Sequence, residues 1–280
     1  MTKKSILGAI LFGLFLGISV FFIVARFTAP APPSNISVTG EFGGPVVLTI
    51  DGEVTEPPGV TTLLEGDGRK VEAGGQVLLR TSSFLLRDGD LTATSSRTAA
   101  ASLAPENIGA MSDWVSGKTE GSRLLAVVKN SATSYEFVVI DLLPTAAIGE
   151  MSSTGKSGLP IISQSGNIPV LTQPGAEPTE LVTEVAIPGT GEQVSDTSVV
   201  VANYVRYLPD GTELENTWRA GAPVFIDLVE VFPGLRTGLA DQRVGSRVIM
   251  GMPAELASGD TAIVMVVDIL AISEVTQSGA

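Results

Sequence analysis

Two stretches of this chain, residues 43–68 and 166–191, resemble each other and lie 123 residues apart. Further similarities follow in the same order, and the spacing grows to 127 residues through small differences in loop length. The matched pairs include Gly66 and Gly189, Gly68 and Gly191, Val71 and Val194, Val77 and Val200, the triplets 121–123 and 245–247, and the runs 138–143 and 265–270. Such an ordered repeat predicts two copies of one domain. We place the first copy at 38–145 and the second copy at 163–273.

Low-complexity segments flank the two copies. A proline-rich spacer, 28–35, precedes the first copy, and we interpret the Gly/Ser-containing segment 146–162 as a flexible linker. Within it, 155–157 (Gly-Lys-Ser) resembles the end of a phosphate-binding loop. However, Glu150 takes the place of the required first glycine, and no apolar strand leads into the motif. Because a carboxylate at that position would repel phosphate, we expect no nucleotide binding.

The composition excludes several kinds of chemistry. The 280 residues contain no histidine and no cysteine, which excludes Ser-His-Asp and Cys-His catalysis, disulfides and the usual zinc sites. The net charge of −13 argues against nucleic acid as a partner. We expect neither a metal nor a cofactor. Because aromatic residues make up only 5% and the chain has 31 glycines and 17 prolines, we expect β-rich domains with many turns and aliphatic cores.

The N-terminal residues have the pattern of a membrane-spanning segment. Ser5–Ala25 is a run of 21 residues without a charge, and as a helix it would span about 30 Å, the thickness of the bilayer's hydrocarbon core. Lys3 and Lys4 indicate that the N-terminus stays in the cytoplasm. We therefore expect 1–27 to be an N-terminal transmembrane helix of a single-pass cell-membrane protein with both copies on the extracytoplasmic side. The alternative is a cleaved signal sequence and a secreted protein.

The second copy has the pattern of an antiparallel sheet covered by one helix. Pro233 suits the first turn of a helix, and Leu235 and Leu239 share one face of it. Apolar strands are predicted at 199–207, 247–252 and 263–272. Strands with one covering helix predict an α+β fold class.

Short motifs of the second copy occur in the order seen in a known family. They are Pro188-Gly189-Thr190-Gly191, Asn203-Tyr204, Leu208-Pro209-Asp210-Gly211-Thr212, Val231-Phe232-Pro233-Gly234-Leu235, Val244-Gly245-Ser246-Arg247 and Val266-Val267-Asp268-Ile269-Leu270. By these motifs the chain resembles the FKBP-type peptidyl-prolyl cis–trans isomerases, most of all exported actinobacterial members with two tandem domains. The resemblance covers about 181–272 and is weak in the first copy. It implies two tandem FKBP-like domains, each a bent antiparallel β-sheet around one short helix.

The resemblance also implies a substrate-binding pocket in the second copy. Its positions correspond to Tyr204, Leu214, Glu215, Val224, Val231, Phe232, Leu235, Ser258 and Met265. Tyr204 keeps the family's tyrosine, and Phe232 stands where the family offers a backbone N–H to the ligand. Aromatic residues of the family are replaced at Leu214, Leu235, Ser258 and Met265. We therefore expect an apolar but eroded pocket, with no nucleophile and at most weak activity. The alternative is that Leu214, Leu235 and Met265 are ordinary core residues of a domain without an active pocket.

The implied function is isomerisation of X–Pro bonds in proline-containing polypeptides, which would assist the folding of exported proteins at the cell envelope. Rotation about such a bond moves no proton, although its barrier is about 18–20 kcal/mol. It is therefore compatible with a chain that lacks histidine and cysteine. One alternative is a non-catalytic binding or chaperone module for Pro-containing segments or an envelope partner, and another is an unrelated β-rich adhesin or assembly domain. Thr81 stands at the Tyr204 position of the first copy, so we expect that copy to be structural or to bind a partner.

Overall fold

The computed structural model describes residues 35–54, 57–257 and 259–273. The N-terminal segment 1–27 and Ser258 lie outside these residues. Within the described ranges, no helix is both long and apolar enough to cross a membrane. The protein is mostly β-structure with a few short helices.

The chain divides into two compact units. Of the described residues, the first unit holds 35–37 and 49–54, and the second holds 38–48 and everything from Pro57 onward. Strands β1 (Ile36–Thr39) and β2 (Val47–Ile50) form a two-stranded sheet. In the first unit, the side-chain hydroxyls of Ser37 and Thr49 are hydrogen-bonded at 2.5 Å. The second copy of the repeat lies wholly in the second unit, and so does the first copy apart from 49–54 among the described residues.

The first copy is built on a five-stranded antiparallel sheet with the order β3-β6-β7-β4-β5. Its strands are β3 (Gly59–Leu64), β4 (Gln76–Arg87), β5 (Asp90–Ser102), β6 (Arg123–Lys129) and β7 (Ser134–Leu143). Asp88 and Gly89 both have positive φ, 52° and 90°, which suits the tight two-residue turn between the long strands β4 and β5.

Two helical turns, rather than the single short helix expected, pack on the first sheet. They are α1 (Pro105–Ile108) and α2 (Met111–Val115). Gly109 separates them because its φ of 59° lies outside the right-handed helical region. Ile108 and Val115 are buried in the core of this copy together with strand residues such as Leu79, Leu124 and Ile140.

The second copy is built on a six-stranded sheet with the order β10-β14-β15-β11-β12, in which β13 also pairs with β11. Its strands are β10 (Val182–Ile187), β11 (Val199–Tyr207), β12 (Glu213–Asn216), β13 (Val224–Asp227), β14 (Arg247–Met252) and β15 (Ile263–Ser273). Its helices are α3 (Thr217–Ala220), α4 (Pro233–Leu239) and a 3-10 turn, Ala254–Leu256. A hairpin of β8 (Ile161–Ser165) and β9 (Ile168–Gln173) precedes it.

The two sheets place repeat-matched residues at the same positions. The order β10-β14-β15-β11 has the same connectivity as β3-β6-β7-β4 in the first copy. Thr81 of β4 lies opposite Ile140 of β7, and Tyr204 of β11 lies opposite Val267 of β15. Because Ile140 and Val267 are matched in the sequence repeat, Thr81 is the structural counterpart of Tyr204.

Each copy also repeats one glycine contact. The N–H of Gly66 donates to the Oγ of Ser122 at 2.9 Å, and the N–H of Gly189 donates to the Oγ of Ser246 at the same distance. A Cβ on either glycine would lie 2.2–2.4 Å from a backbone oxygen of the facing loop. Glycine is therefore required here by close approach of two backbones.

A buried ion pair recurs beside each of these contacts. Arg123 donates to both carboxylate oxygens of Asp141, at 2.6 and 2.7 Å. Arg247 likewise donates to both carboxylate oxygens of Asp268, at 2.7 Å each. Each arginine also donates to a carbonyl in the turn of the preceding hairpin, for example Arg247 to Asn167 at 2.5 Å. The Gly-Ser-Arg triplet thus attaches the hairpin to the sheet.

The segment 146–162, expected from its composition to be a flexible linker, makes ordered contacts with the second copy. Ala147 is buried, and its N–H donates to the Asp268 carboxylate at 2.8 Å. The N–H of Ser152 donates to the carbonyl of Ala186 on the edge strand β10 at 2.8 Å. Leu159 packs into the apolar cluster on the outer face of the second sheet.

Candidate functional site

Helix α4 packs closely on the second sheet because two of its own glycines face that sheet. A Cβ on Gly238 would lie 2.3 Å from the Sδ of Met250, and a Cβ on Gly234 would lie 2.8 Å from the Sδ of Met252. Leu235 and Leu239, on the same helix, are buried in the core beneath it. The inner face of this copy is therefore a continuous apolar surface of leucine and methionine side chains.

Most of the site residues implied by the family resemblance gather around this core. Leu235 and Met265 are 4% and 2% exposed and belong to the buried cluster. Tyr204, Val224, Val231 and Phe232 are partly exposed and pack against the same cluster. Together they form an apolar patch that is buried at its base and accessible at its rim, which we call the inner-face patch. It comprises Tyr204, Val224, Val231, Phe232, Leu235 and Met265.

The register of the sheet explains why these side chains meet. Tyr204 and Arg206 lie opposite Val267 and Met265, respectively. Side chains alternate between the two faces of a strand, so Tyr204 and Met265 point to the same face as helix α4. Val224 reaches that face from β13, where it lies opposite Ala202.

The loop before α4 is held in place by Arg236. Its guanidinium donates hydrogen bonds to the carbonyl oxygens of Leu228 and Val229. Phe232 is the N-cap residue of α4 and has extended backbone angles, with φ −63° and ψ 151°. This anchoring orients Val231 and Phe232 at the rim of the inner-face patch.

Tyr204 is the polar member of the inner-face patch, and the negative charge of Glu215 acts on its hydroxyl. Burial raises the pKa of the Tyr204 hydroxyl well above its ordinary value, and the Glu215 carboxylate raises it further. The phenol therefore stays protonated at physiological pH. Glu215, whose charge contributes to this shift, is exposed on the neighbouring strand β12.

Two of the implied positions do not join the patch in the described structure. Leu214 lies on β12 with its side chain 45% exposed, outside the buried cluster. Ser258 is outside the described residues; its neighbour Ala257 packs against the cluster.

The methionines beneath α4 were not predicted from the sequence to belong to the site. Met250 and Met252 are fully buried in the cluster and contact the helix glycines. The alternation of β14 contains the signal that could have identified them, because residues two apart on a strand face the same side. Val248, Met250 and Met252 thereby share the inner face.

The first copy lacks the polar group of this site. Thr81, the counterpart of Tyr204, is buried at 3% exposure, and its hydroxyl lies 3.4 Å from the carbonyl of Arg97. Strand β5 runs along β4 without the break that separates β12 from β13. The first copy thus presents a longer, continuous sheet and no phenol at this position.

A cavity of about 740 Å³ lies at a different place, where the two copies meet. Phe42, Arg80 and Leu143 line it on one side, and Gly189 and Ile269 line it on the other. None of the eight implied positions that the structure describes lines this cavity. The cavity is therefore separate from the inner-face patch, which we identify by the chemistry of its side chains.

The inner-face patch is suited to binding an apolar group without covalent chemistry. Among the described residues, no cluster of three or more Asp, Glu, His or Cys side chains could hold a metal ion. A partly exposed apolar surface can accept a proline ring. Hydrogen-bond donors at its rim can stabilise a twisted amide.

Comparison with known proteins finds FKBP-type isomerases that are similar to part of the chain. No family model matches the chain. Over 81 residues it is 38% identical to the FKBP-type peptidyl-prolyl cis-trans isomerase FkpA of Escherichia coli K12, a match that covers 29% of this chain and 30% of that protein. The chain thus spans less than a third of the length of this curated relative.

Two solved structures are similar over part of their length. The crystal structure of FkpA from Escherichia coli gives a TM-score of 0.32 at 32% identity, covering 33% of this chain and 47% of that one. The three FKBP domains of wheat FKBP73 give a TM-score of 0.31 at 16% identity, covering 77% and 94%. These scores are too low to support an argument, so the assignment depends on the sequence similarity. By that similarity, a segment of 81 residues of this chain resembles the FKBP-type peptidyl-prolyl cis–trans isomerases.

Proposed function

We propose that the chain is a peptidyl-prolyl cis–trans isomerase whose second copy binds and isomerises X–Pro bonds in proline-containing polypeptides. The observation that carries this proposal is the inner-face patch: an apolar base of Leu235 and Met265, with the partly exposed Tyr204 at its rim. FKBP-type isomerases act on such polypeptides, and the sequence similarity supports the same substrate class here.

The proposed mechanism needs only binding and orientation. The proline ring occupies the inner-face patch, where exclusion of water favours the less polar, twisted amide over the planar one. The N–H of Phe232, at the start of α4, is the proposed donor to a substrate carbonyl. No bond to the protein forms, and no proton is transferred, so the reaction requires no nucleophile.

The proposed location is the cell envelope. Ser5–Ala25 would anchor the chain in the cell membrane and leave both copies on the extracytoplasmic side, where they would assist the folding of exported proteins. Mass spectrometry of the native protein tests this placement. An intact N-terminus supports the anchor, whereas a mature N-terminus between about 25 and 34 would indicate cleavage and a secreted protein.

One observation favours a second candidate function, a non-catalytic module that holds Pro-containing segments. The base of the inner-face patch is made of Leu235 and Met265, where the family resemblance implies aromatic rings. Rings contribute about 0.5–1.5 kcal/mol each beyond the area they bury. A patch without them can retain peptide binding while its preference for the twisted amide is weakened.

Two phenylalanines provide the experiment that distinguishes these functions. In a prolyl-peptide isomerisation assay of the full-length chain, we expect weak but measurable catalysis. Phe232→Ala should lower kcat/KM about tenfold, a loss of roughly 1.4 kcal/mol of transition-state stabilisation. The matched control is Phe225→Ala: this residue lies nearby on β13, is 46% exposed and is not part of the inner-face cluster.

The outcomes separate the candidates clearly. A lower rate for Phe232→Ala with an unchanged rate for Phe225→Ala supports the isomerase. Peptide binding without catalysis by the unmodified chain would favour the binding module. Equal losses in both variants would contradict the placement of the site.

A further inference from the structure

The two copies share a buried interface on the face of the second sheet opposite the inner-face patch. Leu78 and Leu143 of the first copy pack with Val201 and Leu270 of the second copy in one apolar cluster. Val201 and Asn203 alternate along β11 with Ala202 and Tyr204, which face the inner core. Strand β11 is therefore in contact with the first copy on one side and carries the site on the other.

A network of buried polar groups crosses this interface. Asn203 is fully buried, and its Nδ2 donates to the Oε1 of Gln76 and to the carbonyl of Thr145, both at 2.8 Å. The Nε2 of Gln76 donates to the carbonyl of Thr217 at 2.8 Å. Gln76 is in the first copy, whereas Asn203 and Thr217 are in the second.

The chemistry of the network fixes the orientation of both amides. A backbone carbonyl can only accept hydrogen bonds, so Thr145 requires the NH₂ group of Asn203 to face it. Likewise, the carbonyl of Thr217 requires the NH₂ group of Gln76. The Oε1 of Gln76 then faces Asn203, and the Oδ1 of Asn203 is left to accept from the hydroxyl of Thr217 at 2.7 Å.

The same hydroxyl connects the network to the site. The Oγ1 of Thr217 accepts a hydrogen bond from the backbone N–H of Tyr204 at 2.8 Å. A hydroxyl has a single proton, and the short contact to Asn203 uses it. The lone pairs of the oxygen are thereby directed towards Tyr204, and the path from Gln76 to the Tyr204 backbone consists entirely of short hydrogen bonds.

We propose that Gln76 of the first copy is a positioning residue for the site in the second copy, acting through Asn203 and Thr217 on the backbone of Tyr204. This inference builds on the proposed isomerase function. It assigns a role to the first copy, which has no phenol at the equivalent position: it is a structural part of the site of its neighbour.

Gln76→Met in the full-length chain tests the proposal, because methionine is of similar size and cannot make either amide hydrogen bond. We expect kcat for a prolyl peptide to fall about tenfold with little change in KM, since a buried network loses its polar partner. The control is Gln173→Met, on the exposed strand β9, which should leave both constants unchanged. A loss of the same size in the control would overturn the proposal.

A second measurement does not depend on catalysis. Hydrogen exchange of the Tyr204 amide, followed by NMR, should accelerate at least tenfold in Gln76→Met and not in Gln173→Met. Unchanged exchange at Tyr204 would overturn the coupling. If the unmodified chain shows no isomerase activity, the proposed function fails, yet the exchange result still decides whether Gln76 positions Tyr204.

A third variant covers the case in which Gln76→Met does not fold. Gln76→Glu keeps an acceptor that faces Asn203, but it replaces the donor to the carbonyl of Thr217 by a negatively charged oxygen that cannot donate. It should also accelerate Tyr204 exchange relative to Gln173→Met. Exchange as slow as in the control would contradict the proposal.

Discussion

At the scale of single residues, Tyr204 combines three properties of the site: partial burial, an apolar environment and one polar partner. Its backbone N–H donates to the Oγ1 of Thr217 at 2.8 Å, and the negative charge of Glu215 helps to raise the pKa of its hydroxyl. Both interactions involve residues near the short strand β12. Substitutions on β12 should therefore affect the Tyr204 phenol.

The raised pKa of Tyr204 predicts a specific dependence of stability on alkaline pH. The unfolded phenol releases its proton near pH 10, whereas the folded one retains it to higher pH. The folded state therefore binds more protons in this range, and stability falls as the pH rises above about 10. Tyr204→Phe should show a shallower fall, measured as the denaturant midpoint between about pH 8 and 11.5.

The pKa of Tyr207 is also raised by burial, and it contributes equally to both proteins in this comparison. Any difference in slope is therefore due to Tyr204. Parallel stability curves for the two proteins would show that Tyr204 titrates normally.

Gly238 provides a test of the packing beneath the site. Alanine at this position should destabilise the protein by about 1–2 kcal/mol. Its Cβ would overlap the buried side chain of Met250, which costs more than the gain of roughly 1 kcal/mol in helix propensity. Urea denaturation measures the change. Gly44→Ala, where the nearest atom to the new Cβ is 3.5 Å away, is the control and should be within about 0.5 kcal/mol of the unmodified protein.

A finding that the two alanine variants are equally stable would contradict the close packing of α4 on the sheet. Greater loss in Gly44→Ala would do so as well.

At the scale of secondary-structure elements, the recurring Arg–Asp pair links the last two strands of each copy to the hairpin before it. In the second copy, both side chains of the Arg247–Asp268 pair are fully buried. Such a pair is costly to break on one side, because the remaining charge stays buried without a partner. The exposed pair Arg219–Glu213 offers the contrast.

Asp268→Asn should destabilise the chain by about 3–5 kcal/mol, whereas Glu213→Gln should cost no more than about 1 kcal/mol. The denaturant midpoints of the two variants measure the difference at neutral pH. Similar losses in the two variants would mean that the buried pair does not hold the hairpin and the sheet together.

The sequence predicted these elements well where a pattern was local or repeated. The apolar strands at 199–207 and 247–252 and the helix at Pro233 are found, because alternation and helix-start signals act over a few residues. The single helix expected in the first copy is instead two turns, since Gly109 adopts positive φ. The sequence shows a glycine at position 109, but it does not show which φ angle that glycine adopts.

The candidate site was predictable only in part. The motif positions Tyr204, Phe232 and Leu235 gather around one core, as the resemblance implies. Leu214 does not, because its place on the short strand β12 leaves it exposed. Whether a strand residue faces a core depends on strand pairing and β-bulges, and a short sequence motif does not specify either of them.

At the scale of the whole molecule, the two copies share the connectivity of four strands but differ at the residues through which they meet. Asn203 of the second copy corresponds to Arg80 of the first, because they lie opposite Asp268 and Asp141, respectively. Arg80 donates to the carbonyl of Gly44, whereas Asn203 bonds to the other copy. The repeat therefore predicts the two domains, but not their interface, which depends on residues that the copies do not share.

The proposed function requires the inner-face patch of the second copy to bind proline-containing segments. The most direct measurement is NMR titration of the full-length, ¹⁵N-labelled chain with the peptide Ala-Leu-Pro-Phe. The account predicts that the largest amide shifts occur at Tyr204, Val231, Phe232 and Leu235. Shifts centred on Thr81 in the first copy, or on the cavity near Arg80, would contradict it.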